Sequence, residues 1–214
     1  MTEESKKTNY RRASRTLLYL GIALVLILGF QFATQKMAHQ AQKHQEKEAL
    51  ATKSTEDKDS AKIEIMEEAI TLASENIKKG GGPFGSIIIK DGKVIARAGN
   101  TVTSGLDPTA HAEISATRQA CKTLNSFDLN GCEIYSSCEP CPMCLSAIYL
   151  ARISKLYFSA SRFDAADAGF DDSFLYEEIA VPIEKRKIPV QELIAQKGKS
   201  PFVQWKKTEK KIAD

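Results

Sequence analysis

Between Asp107 and Leu150 the chain carries His111 and Glu113 in Ala-His-Ala-Glu, then Cys138, Cys141 and Cys144 in Cys-Glu-Pro-Cys-Pro-Met-Cys. One imidazole and two thiolates, those of His111, Cys141 and Cys144, can hold a zinc ion tetrahedrally with the fourth position left to water. A carboxylate two residues from the histidine, Glu113, can move that water's proton. The spacing suits the chemistry. Cys141 and Cys144 are three apart, which at a helix start puts both sulfurs on one side, near the positive end of the dipole that favours thiolates. Pro140 just before them suits a helix beginning there. His111 stands at the opening turn of the stretch Ala112-Glu-Ile-Ser-Ala-Thr-Arg-Gln-Ala, so two helix starts are expected to face one ion.

The elements that must hold these helix starts begin near Ala61. Ile63, Met66, Ile70, Ala73 and Ile77 recur every three to four residues, an amphipathic helix that Gly80, Gly81 and Gly82 stop. Two apolar runs, Ser86-Ile-Ile-Ile and Val94-Ile-Ala, flank Asp91-Gly92, a strong hairpin signal. The His111 helix follows, then a strand at Glu133 to Ser137, the Cys141 helix with Leu145, Ile148 and Tyr149, and a strand at Lys155 to Ser159. A Gly- and Asp-rich loop, a helix near Phe174, the short run Ile188-Pro-Val and a tail complete the chain. Strands alternating with helices predict an α/β fold, a three-layer α/β/α sandwich with helices on both faces of one sheet.

The N-terminal part reads differently. Residues 1–16 carry five Lys or Arg against two Glu, 17–60 five of each sign, and 61–214 twenty of each. The excess of positive charge lies wholly in the basic tip. Residues 17–33 hold no charge, and Gln31 is their one strongly polar side chain. As a helix they span roughly 25 Å against a hydrocarbon core of about 30 Å. This predicts a single membrane-spanning signal-anchor, preceding the α/β domain. A cleaved signal peptide is the rival reading, but Gln31 before Ala33 and Lys36 before Ala38 make poor cleavage sites; a buried core helix is the third. Five basic residues before the segment and three in the fifteen after it predict the catalytic domain outside the cytoplasm. Five cysteines, three of them not metal-ligand candidates, pull toward a reducing compartment instead. Residues 34–60, rich in Gln, Lys, Glu and Ala, read as a polar linker in which His39 and His44 are solvated.

From residue 61 to the end the chain resembles the guanine deaminases of the zinc-dependent cytidine/deoxycytidylate deaminase-like family. The resemblance rests on Gly81-Gly-Pro-Phe-Gly85, Asp107-Pro-Thr-Ala-His-Ala-Glu113, Ser137-Cys-Glu-Pro-Cys-Pro-Met-Cys144, Ala168-Gly-Phe-Asp-Asp-Ser-Phe174 and Ser200-Pro-Phe202. It implies the cytidine-deaminase-like fold, a zinc ion on His111, Cys141 and Cys144, and hydrolysis of guanine to xanthine and ammonia with Glu113 moving the protons. It further implies that Phe84 stacks on the base, that Asn100 hydrogen-bonds it, that Asp172 contacts the purine edge and relays protons, and that the protein is a homodimer. Read alone, Phe84 is a core residue, Asn100 a turn residue, and Asp171-Asp172 a turn and helix cap. Leu150 stands where the family has tryptophan, and the tail Lys210-Lys-Ile-Ala-Asp214 lacks the family's terminal aromatic; Trp205 is a candidate to compensate.

Two other functions compete. The same metal motif serves cytosine, cytidine and transfer-RNA adenosine deaminases, but a nucleic-acid site needs a basic face. The balanced charge of 61–214 offers none beyond Lys206, Lys207, Lys210 and Lys211, so no nucleic acid is expected. A catalytically silent zinc-stabilised binding module has no use for Glu113 and usually closes its fourth metal position with protein. A small purine base is the expected partner.

Overall fold

The computed structural model describes residues 3–208, and side chains from Gln31 onward apart from residues 32, 33, 38, 54 and 55. The chain divides into two units, Met1–Ser60 and Ala61–Asp214. Helix α1 runs from Glu3 to Lys78. Residues 34–60, expected as a linker, are helical throughout, with every described side chain exposed.

The membrane anchor expected at 17–33 is corrected. Among the described residues no helix is long and apolar enough to cross a membrane. The segment lies within α1 and its side chains, Gln31 apart, fall outside the described residues. Its length of roughly 25 Å is also short of the hydrocarbon core. The single-pass topology and the extracytoplasmic placement, which rested on this anchor, fall with it.

In the second unit one mixed sheet of four strands, in the order β2-β1-β3-β4, carries the site. Strands β1 (Gly82–Lys90) and β2 (Lys93–Asn100) form the hairpin. Its turn is closed by Asp91 and Gly92 at φ 50° and 73°, the left-handed pair that matches the twist of two-residue hairpins. Short helix α2 (Val102–Gly105) and α3 (Ala112–Leu124) lead to β3 (Cys132–Cys138), antiparallel to β1. Helix α4 (Pro142–Leu150) then crosses over to β4 (Lys155–Ala160), parallel to β3. Helices α5 (Arg162–Asp167) and α6 (Ser173–Ala180), a 3-10 turn at Ile183–Lys185, α7 (Ala195–Gly198) and α8 (Ser200–Lys206) follow. The run Ile188-Pro-Val forms no regular element.

Each face of the sheet has its own core. On one, Ile88, Ala96 and Ile134 pack with Ala116 and Ala120 of α3 and Ile148 of α4. On the other, Ile87, Ile89 and Tyr135 meet Ala69 of α1, flanked by Ile65, Met66 and Leu72. That second contact turns the core face of α1 away from part of the expected stripe, of which Met66 and Ala73 pack inward. Ile63, Ile70 and Ile77 are 60%, 41% and 55% exposed, whereas Ala69 and Ala73 are buried. The cause is close approach: a Cβ on Gly85 would lie 2.3 Å from the Ala69 carbonyl oxygen, so only small residues fit between helix and strand. The expected and observed faces overlap at Met66 and Ala73, and backbone contact rotates the buried one toward Ala69.

Candidate active site

The zinc ligands sit where two helices begin. His111 is the N-cap of α3 and Cys141 the N-cap of α4, both with extended backbone, and Pro142 opens the helix while Cys144 lies one turn in. The Asp107-Pro-Thr turn aims the histidine. Asp107 accepts from the Thr109 N–H at 2.8 Å and hydroxyl at 2.7 Å, and the Thr101 N–H binds the Ala110 carbonyl at 2.9 Å. This loop is thereby tied to the end of β2.

His111 Nδ1 faces Cys141 Sγ at 3.8 Å, and the donor atoms of His111, Cys141 and Cys144 all lie within 4.8 Å of one another. Zinc bonds of about 2.0–2.3 Å place tetrahedral ligand atoms about 3.3–3.8 Å apart, so the set fits zinc with slight closure. One of the two sulfurs already stands as the thiolate that zinc takes. Hydrogen bonds from the Cys144 thiol, and then from His111 and the Cys144 N–H, bring Cys141 down to about 4, a thiolate. The same Cys141 contact and burial push Cys144 up. Cys138, buried and bonded to the Ser161 carbonyl at 3.6 Å, is pushed up to about 11 by burial and stands outside the ligand group.

Glu113, on the first turn of α3, is 5% exposed. The Ser136 hydroxyl donates to its Oε1 at 2.9 Å, and the Cys144 thiol approaches Oε2 at 3.5 Å. Burial raises its affinity for a proton above that of an ordinary glutamate, against the opposing hydrogen bond of Ser136. Such a carboxyl is suited to take and return protons.

Beside the ligands opens a cavity of about 550 Å³ lined by Phe84, Asn100, His111, Glu113, Cys141 and Asp172 among others. Every sequence-predicted site residue except Cys144, which lies behind Cys141, reaches its wall. Asn100 ends β2, is buried, and accepts the Val102 N–H through Oδ1 at 3.1 Å, which leaves its amide donors to the cavity. Phe84 meets Phe170 edge to face, centroids 5.0 Å apart. Asp172 is the N-cap of α6 yet makes no side-chain cap bond. Asp171 does that work, accepting from the Ser173 N–H at 2.9 Å. Burial, followed by the nearby Cys141, raises the Asp172 carboxyl. Tyr176 of α6 donates to the Pro140 carbonyl at 3.3 Å, holding this helix against the metal loop.

The reading of the sequence missed Ser136, Phe170, Glu139, Arg162 and Tyr176. Ser136 was findable: a serine in a buried strand facing the helix that carries Glu113 is a plausible support for it. Glu139 stands within the cysteine run itself, where nothing marked it off from its neighbours, and Phe170, Arg162 and Tyr176 come from a loop and from α5 and α6, distant in sequence. Leu150 and Trp205 are 74% and 52% exposed and neither lines the cavity, so the proposed compensation does not occur within one chain. The tail from residue 209 lies outside the described residues.

Fold and site together define a zinc-dependent hydrolytic deaminase. The profile of the cytidine and deoxycytidylate deaminase zinc-binding region matches residues 59–160. The chain is 51% identical over 143 residues to the guanine deaminase of Bacillus subtilis, covering 66% of this chain and 92% of that one. The X-ray structure of guanine deaminase from Bacillus subtilis superposes with a TM-score of 0.68 at 50% identity, over 69% of this chain and 95% of that one. A tRNA-specific adenosine deaminase of Aquifex aeolicus is 46% identical over 96 residues, 45% of this chain and 64% of that one. The chain belongs to the zinc-dependent cytidine/deoxycytidylate deaminase-like family and is a homologue of the guanine deaminases.

Proposed function

We propose that the chain hydrolyses guanine to xanthine and ammonia, with one water consumed. The observation that carries this reading is the convergence of Phe84, Asn100 and Asp172 on the cavity beside Glu113 and the ligand set. The guanine deaminase relative, matched over 92% of its length, supports the choice of base. The residues divide the work. Phe84, braced by Phe170, offers its ring to a flat base, and Asn100 donates to the base edge from an amide whose oxygen is already engaged. His111, Cys141 and Cys144 hold zinc, which when bound supplies Lewis acidity that makes a water nucleophilic near neutral pH. Glu113, fixed by Ser136, takes the water's proton and returns it to a ring nitrogen as the carbon bearing the amine is attacked. Asp172, across the cavity, relays the remaining proton of the attacking water to the departing amine, so that ammonia leaves with no net uptake of protons.

Charge favours a small uncharged substrate over a nucleic acid. Besides Glu113, the wall carries Glu139, Asp171, Asp172 and Glu177 against a single arginine, Arg162. Phosphates are poorly received there. A homodimer completes the reading: α4 leaves Tyr149 and Leu150 75% and 74% exposed, an apolar surface suited to a second copy.

The test is ammonia release by the full zinc-loaded chain from guanine, adenine, cytosine, adenosine, cytidine and transfer RNA, with sedimentation for the dimer. Turnover of guanine above the rest is expected. Preference for any other substrate overturns the assignment of the base and leaves the hydrolytic chemistry standing.

A further inference from the structure

Asn76 lies on the last turn of α1, off the cavity wall and outside every motif considered above, and is 8% exposed. Its Nδ2 donates to the Gly82 carbonyl at 2.8 Å and to the Asn100 carbonyl at 2.7 Å. Gly82 and Asn100 are partners at the open end of the β1–β2 hairpin, and the register slips between Gly82 and Gly85. Strand ends released from their ladder need another donor for their carbonyls. The Asn76 amide supplies it to both.

Glycines make the slot for that amide. A Cβ on Gly81 would lie 2.3 Å from Asn76 Nδ2, and one on Gly99 would lie 2.3 Å from Asn76 Oδ1. Neither glycine has a positive φ, so room rather than backbone freedom accounts for them. What the amide holds matters for recognition: Gly82 precedes Phe84 by two residues, and Asn100 is itself on the cavity wall.

We propose that Asn76 is a positioning residue for the base, a clamp that sets Phe84 and Asn100 relative to each other from behind the wall. The inference rests on the guanine reading and on those two residues as base contacts. Asn76 makes no recorded hydrogen bond to the zinc ligands or Glu113, so its effect falls on binding more than on the chemical step.

The experiment measures KM and kcat for guanine, with zinc content, in the full chain carrying Asn76→Ala, Gly99→Ala, both together, and Asn76→Ala on an Asn100→Ala background. Asn76→Ala is expected to raise KM on the order of tenfold with kcat within about threefold and zinc content unchanged. Gly99→Ala acts likewise, because its methyl displaces the amide. The pair stays close to Asn76→Ala alone, since truncation removes the two closest contacts and leaves only the Asn76 Cβ, 3.1 Å from the methyl, to give slightly. On the Asn100→Ala background the rise shrinks to about threefold, the part transmitted through Phe84. A full tenfold rise on that background, loss of zinc, or an equal fall in kcat and kcat/KM overturns the clamp. An unchanged KM in Asn76→Ala, beside a parent that turns guanine over, overturns the clamp alone. A parent without guanine turnover overturns both readings, because the clamp then has no guanine to position.

Discussion

The metal end of the cavity and the wall proposed to face the base are built on opposite plans. His111 and Cys141 cap two helices, and Glu113 and Cys144 follow within one turn, so four functional side chains come from two short runs. Phe84, Asn100 and Asp172 come instead from an irregular strand start, a strand end and a loop, and are brought together by Asn76, Phe170 and Tyr176. Local geometry sets the first and long-range packing sets the second. The metal end should therefore fail in an all-or-none way when one ligand is lost, and the wall should weaken by degrees.

The largest expected break is Cys141→Ala. It removes one of the two ligands that α4 supplies and should abolish zinc binding and activity together, with Tm lowered on the order of 10 °C, because metal affinity is also folding energy. Zinc analysis and thermal melts check it; a variant with full zinc content would take Cys141 off the ligand set. Next comes Glu113→Gln, expected to cost about 10³-fold in kcat while zinc content and Tm stay near those of the parent. Retained turnover would remove Glu113 from proton transfer.

On the wall, Phe84→Ala should raise KM about tenfold with a smaller change in kcat, the loss of a stacking face. Steady-state kinetics decide between this and a kcat effect, which would place Phe84 in the chemistry. The smallest effect concerns acid. Asp107, Asp164 and Asp171 are held below their usual 3.8, first by side-chain hydrogen bonds to Thr109, Ser161 and Ser173. Their folded pKa values are depressed, so their stabilisation is present above about pH 4 and is lost as pH falls through the folded values. Melts from pH 5 to pH 3 should show a shallow decline that flattens in a triple Asp→Asn variant.

The same division governs what could be read from the sequence. The His-x-Glu and Pro-Cys-x-x-Cys runs are legible because ligand spacing and helix capping act within a few residues, and Asp91-Gly92 marks its hairpin for the same reason. The buried face of α1 was read only in part: Met66 and Ala73 pack inward as expected, but Ile63, Ile70 and Ile77 stay exposed because the helix turns Ala69 onto Gly85. Only the tertiary approach distinguishes them. Phe84, Asn100 and Asp172 came from resemblance alone; nothing in their local sequence separates a pocket residue from a turn or core residue. Asn76 left no local signal, since its partners are the carbonyls of Gly82 and Asn100 and its slot is two glycines. The apolar run at 17–33 suggested a membrane helix on composition and length, an expectation that no helix among the described residues meets.

The register slip between Gly82 and Gly85 gives β1 two parts with separate fates. Beyond Gly85 the strand is locked between β2 and β3, while Pro83 and Phe84 bow out between the Gly82–Asn100 and Gly85–Gly99 pairs. An added or deleted residue between Gly82 and Gly85 would thus fall in the bowed pair Pro83-Phe84, re-aiming Phe84 while the ladder beyond Gly85 and the set of His111, Cys141 and Cys144 keep their register. The width of the cavity on this side is a matter of chain length as much as of side-chain choice.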